Sequence, residues 1–164
     1  MQRFRAMVGR HASALALITF SLASLAGAQQ PASPLVGRWT LNVAKTHYGG
    51  GAEPRTRESL VCEPSDAAIT CTSKSRRPDG RTVVVSFSAR DDGTPARVHG
   101  AEDIDEVILT RVDSSITDAT FKHRAQPVFA YRAVRALNGR SLIIISVDPV
   151  TRAVLHSVVV YDAR

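Results

Sequence analysis

Rhythm is the strongest constraint on this chain. From residue 35 onward, short apolar or alternating runs are interrupted every eight to twelve residues by clusters rich in Gly, Pro, Asp or Asn. The separators read RPDG, DDGTP, VDSS, RAQP, LNGR and DPVTR. Each holds residues that let the backbone reverse, and Asn138-Gly139 suits the positive φ of a tight hairpin. Such spacing marks antiparallel sandwiches and barrels. The runs between the separators are RWTLNV, RESLVCE, AAITCTSK, RTVVVSFSA, DEVILTRV, SITDATFKHR, VFAYRAVRAL, SLIIISVD and AVLHSVVVYDA.

Several runs alternate with period two. Trp39, Leu41 and Val43 share one face against Arg38, Thr40 and Asn42, and Thr117, Ala119, Phe121 and His123 share another. One wet and one buried face is the antiparallel pattern. Residues 44–56, AKTHYGGGAEPRT, hold three consecutive glycines and a proline and read as a loop. No sustained helical period appears after the N-terminal segment. The expected class is all-β, and nine runs joined by short turns fit an up-and-down meander. Closing it into a barrel removes the exposed strand edges.

The N-terminal segment is of another kind. Arg3, Arg5 and Arg10 precede a Leu- and Ala-rich stretch from Ala12 to Ala26, followed by AGAQQ. Ala26 and Ala28 occupy the small-residue positions of a signal peptidase site, so residues 1–28 read as a signal peptide cleaved after Ala28. The apolar stretch is too short and too rich in Ala and Ser to span a bilayer comfortably. The expected organisation is a signal peptide over 1–28, a leader over 29–34 and one β-barrel domain over 35–164. The location is then periplasmic or extracellular, with no stable membrane insertion of the mature chain. Removing 28 of the 164 residues takes three basic and no acidic side chains, so the formal charge falls from +6 to +3. Much of the basicity belongs to the export signal.

Cys62 and Cys71 are the two cysteines of the chain. An even number in an exported protein reads as a disulfide. Pro64, Ser65 and Asp66 between them suit a turn, and a two-residue turn flanked by Ser65 and Ala68 sets Cys62 directly opposite Cys71.

The stretch GRWTLNVAKTHY resembles the opening G-T-W-K-L-N-x-x-K-S-x-F of a group of small exported bacterial lipocalin-like (calycin) barrels. Gly37, Trp39, Leu41, Asn42, Lys45, Thr46 and Tyr48 carry the match, and CEPSDAAIT, RPDGRTV, DEVILTRVD and LNGRSL are similar in order to the group's hairpins. The resemblance implies about eight antiparallel strands, with Gly37 and Trp39 plugging one end of the barrel. It implies no particular chemistry, since function resides in sites rather than in folds.

Catalytic and metal signatures are absent from the sequence. His47, His99, His123 and His156 lack metal-ligand spacing, and no nucleophile elbow, P-loop or dinucleotide-binding glycine pattern occurs. Glu102, Asp103, Asp105 and Glu106 lack the central glycine of a calcium loop. Lys74, Arg76, Arg77 and Arg81 gather at one hairpin tip without interleaved aromatics, which argues against single-stranded nucleic acid. No enzyme, cofactor or nucleic-acid role is therefore expected. A barrel interior can be filled by side chains or can hold one small ligand. By alternation, the candidates to line it are Leu41, Leu60, Leu109, Arg111, Phe121 and Tyr131. Arg111 is expected to sit at the strand end and snorkel outward; turned inward, it would need a partner, either an acid of the barrel or an anionic ligand head. The expected function is binding of an apolar or amphipathic small molecule; the alternative is a structural or protein-interaction module with a filled interior.

Overall fold

A computed structural model describes residues 32–49 and 54–164. The expected signal peptide, with its cleavage after Ala28, lies outside the described residues. Within them the chain forms ten strands: β1 (Gly37–Leu41), β2 (Arg57–Ser65), β3 (Ala68–Arg76), β4 (Thr82–Ala89), β5 (Asp92–His99), β6 (Glu106–Arg111), β7 (Ile116–His123), β8 (Gln126–Arg135), β9 (Ser141–Val147) and β10 (Val154–Ala163). Every strand pairs antiparallel with its sequence neighbours, and β1 also pairs with β10, so the meander closes into a barrel. Closure gives every strand a partner on both sides, although the β4–β5 seam is paired over two residues only.

The all-β, up-and-down expectation holds, but the count of about eight strands is corrected to ten. Part of the difference is β5, whose start DDGTP reads as a turn. Pro95 and Gly93 do lie in a strand, yet β5 is registered against β4 only at Ser86↔His99 and Phe87↔Val98. Pro95 is registered against Ile108 of β6. A proline is tolerated where one side of a strand needs no N–H donor.

The β2–β3 hairpin keeps the register expected from its turn. Ser65 lies opposite Ala68 and Cys62 opposite Cys71, with Asp66 at φ 48°. The two cysteines are disulfide-bonded, their Cα atoms 4.1 Å apart. A disulfide persists in oxidising compartments, which agrees with export.

Alternate turns define two ends of the barrel. At one end lie the β2–β3, β4–β5, β6–β7 and β8–β9 turns, together with the start of β1 and the end of β10. This end is plugged. Trp39 is 1% exposed and its indole Nε1 donates to the Leu35 carbonyl at 2.9 Å. The Arg135 guanidinium stands 5.3 Å above the indole ring and donates to the Val36 carbonyl at 3.0 Å. Gly37 has φ +152°, and a Cβ there would fall 2.8 Å from Trp39 Cζ2, so the ring lies where any side chain would stand. Ser33 and Pro34 are buried beside them, so the end of the leader belongs to the packed structure. Leu109, Ala119, Ala133 and Leu142, all fully buried, continue the core.

Residues 42–49 and 54–56 lie between β1 and β2 at the opposite end. They contain a 3-10 turn, Val43–Lys45, capped by the Asn42 side chain, and then His47 exchanges backbone hydrogen bonds with Val158. The loop reading stands for the described residues of this segment. Among the described residues, no helix is long and apolar enough to cross a membrane.

Candidate functional site

The barrel's second end opens into a cavity of about 890 Å³. Its floor is Leu35, above the Trp39 plug, and its rim is formed by the β3–β4 turn and the β5–β6 loop. Gly100, at φ +84°, lets that loop pass over β4, because a Cβ there would meet the Val84 carbonyl oxygen at 2.0 Å. Seven aromatic residues follow Ala28 in the sequence. Six of them line the cavity, and the seventh, Trp39, seals its floor. The seven aromatic residues that follow Ala28 are thus gathered at one feature.

The walls differ in chemistry. On one side Phe121 is the hub of an aromatic cluster: its ring centroid is 6.2 Å from Phe87, 5.7 Å from Phe129 and 5.6 Å from Tyr131. These residues come from β4, β7 and β8, at inward positions set by the registers Val107↔Phe121↔Phe129 and Ala119↔Tyr131. Such rings supply apolar area and edge-to-face contacts to a flat guest.

On the other side stands a carboxylate. Glu58 of β2 is 3% exposed and accepts hydrogen bonds from Tyr161 Oη at 2.8 Å and from Ser73 Oγ. Arg55 Nη1 completes the cluster, 2.6 Å from Glu58 Oε2. A buried carboxylate without such partners would be strongly disfavoured. Burial works most strongly against the Arg55 charge, but Glu58 together with Tyr161 and Tyr48 outweighs it and lifts the guanidinium above its ordinary value. Burial and the Glu58 charge together push the Tyr161 phenol well above its usual range. Tyr131 is raised in the same way, burial first and Glu58 second. Burial also raises Tyr48, with Arg55 beside it acting in the opposite sense. All three tyrosines of the chain are therefore neutral hydroxyls around one ion pair.

The candidates from the sequence fall into two groups. Leu60, Phe121 and Tyr131 line the cavity. Leu41 and Leu109 are buried in the core outside its lining. Arg111 lies at the plugged end, where its Nη2 sits 2.6 Å from Asp91 Oδ2 and both side chains are mostly buried. It does not snorkel outward as expected; of the two partners that an inward Arg111 would need, the acid of the barrel is the one observed. His123, the last residue of β7, stands half-buried 3.9 Å from Asp105. Among the described residues no group of three or more His, Cys, Asp or Glu side chains converges on a metal-sized site.

Glu58, Ser73, Arg55 and Tyr161 were not read as site residues from the sequence. The signal for Glu58 was present, because it precedes Leu60 by two and shares its inward face. Ser73 precedes Ser75 and follows Cys71 on the same principle. Arg55 lies in the β1–β2 connection, where no periodicity constrains it, and Tyr161 is 103 residues from Glu58. Compared with protein-family models, curated proteins and solved structures, the chain has no significant match in any of the three.

Proposed function

We propose that this protein is an exported, lipocalin-like barrel that binds an apolar or amphipathic small molecule inside its cavity. The observation that carries the reading is the two-walled cavity of about 890 Å³, aromatic on one side and polar around Glu58 on the other. Ligand pockets are typically 300–1,000 Å³ and combine apolar lining with a few convergent polar groups. A filled interior, the arrangement of a structural module, would leave no reason to gather six aromatics and a buried carboxylate around empty space. The signal-like residues 1–28 and the Cys62–Cys71 bond support export.

Native mass spectrometry of protein purified from its own cell envelope tests both parts. The expected result is a chain beginning at Gln29 with a co-purifying small molecule released on denaturation. A chain retaining residues 1–28 overturns export. Failure to retain any apolar compound, either native or supplied, overturns the binding reading.

A further inference from the structure

We infer that Glu58 makes this cavity selective for uncharged ligands that carry an O–H or N–H group, and excludes free carboxylates; the inference rests on the binding reading above. An ionised carboxylate offers about four acceptor positions. Three are taken, by Ser73 Oγ on Oε1 and by Arg55 Nη1 and Tyr161 Oη on Oε2. One acceptor position is left on a side chain that lines the cavity.

Arg55 lines the same cavity and, among the described residues, its guanidinium is bound to Glu58 through Nη1. Its fork carries further N–H donors beyond that bond. A hydroxyl or primary amide satisfies both groups at once, donating to Glu58 and accepting from Arg55. A carboxylate brings no hydrogen for Glu58 and sets a second negative charge beside it. Like charges out of water repel strongly, which offsets what Arg55 would contribute. An ammonium group meets the opposite conflict, attracted by Glu58 and repelled by Arg55. The neutral phenols Tyr131 and Tyr161 do not change this balance, and the Phe121 cluster favours a flat apolar body for the rest of the ligand.

The test uses matched fluorescent probes, 1-pyrenemethanol and 1-pyrenecarboxylate, titrated into the oxidised protein near neutral pH. The alcohol should bind at least about tenfold more tightly, a difference of about 1.4 kcal/mol. Glu58→Gln keeps the shape and removes the charge, so it should narrow that ratio about tenfold. Desolvation of a carboxylate in any apolar cavity would leave the ratio untouched by this substitution. Should Glu58→Gln fail to fold, Arg55→Gln reads the same balance from the other side, and the ratio should widen. Equal affinity of the two probes for the unmodified protein, or a ratio that neither variant moves, overturns the selectivity and leaves the binding reading standing. Binding of neither probe overturns both.

Discussion

Tyr161 of the last strand donates its phenolic hydrogen to Glu58 of the second strand, 2.8 Å away across the first. The bond ties together strands that both flank β1, and it holds the cavity's carboxylate in place. Tyr161→Phe removes the hydroxyl and keeps the ring. Hydrogen bonds to charged groups are worth about 1.5–3 kcal/mol, and a loss in that range is expected in the urea unfolding free energy. A variant as stable as the parent would mean that the bond carries no net weight.

Alkaline titration should report the same burial. Tyr48, Tyr131 and Tyr161 are all raised above the ordinary phenol range, while in the unfolded chain they titrate near 10. Below pH 10 both states hold the proton and the stability is unaffected. Above it the unfolded chain releases protons that the folded chain retains, so stability falls by up to about 1.4 kcal/mol per pH unit for each of Tyr131 and Tyr161, and by less for Tyr48, which lies closer to solvent. Absorbance at 295 nm should show delayed ionisation in the folded protein, followed by unfolding at high pH. Three tyrosines titrating near 10 with the fold intact would contradict the buried cluster.

Reduction of Cys62–Cys71 reopens a loop of about ten residues, worth about 2–3 kcal/mol in the chain-entropy model. Cys62→Ala/Cys71→Ala should lower the unfolding free energy by a similar amount. The intact oxidised protein should carry no thiol reactive toward iodoacetamide under denaturing conditions. Both cysteines also line the cavity, so the double variant should loosen its wall as well.

The plug makes a steric prediction. Gly37→Ala places a methyl group 2.8 Å from Trp39 Cζ2 and 2.9 Å from Cε2, at a φ that L residues rarely adopt. The ring must shift, and overpacking of this kind costs about 1–3 kcal/mol. Trp39 is the one tryptophan of the chain, so its fluorescence reports the shift directly. An unchanged spectrum and melting temperature would show that the plug tolerates a side chain.

Arg111 separates stability from binding. Its two contacts with Asp91 Oδ2, at 2.6 and 2.7 Å, lie at the plugged end of the barrel. Arg111→Met leaves Asp91 without this partner and should cost about 1.5–3 kcal/mol in stability. Affinity for a cavity probe should stay within about twofold of the parent. A loss of affinity without a loss of stability would move the binding site toward this end.

Local rules made much of the fold legible. Period two fixes which residues face inward, and turn chemistry at Asn138-Gly139 and around Asp66 fixes where the chain reverses. From these alone follow the meander, the Cys62–Cys71 bond and the inward placement of Leu60, Phe121 and Tyr131. The rules failed at β5, because Gly93 and Pro95 signal a turn unless one knows that the neighbouring strand leaves that side unpaired.

The class of structure and the face of each strand depend on neighbours one or two residues away, so both are readable along the chain. Which inward residues pack as core and which border open space was decided only by closure. Leu109 and Phe121 lie on inward faces of adjacent strands, yet one is sealed in the core and the other lines the cavity. The difference is depth along the barrel, which depends on the stagger of all ten strands. Arg55 lies three residues before Glu58 and Ser73 comes from the paired strand of the same hairpin, but closure alone brought Tyr161 to them. A hydrogen bond across 103 residues has no local signature, and Glu58 gains this partner only because β1 pairs with both β2 and β10.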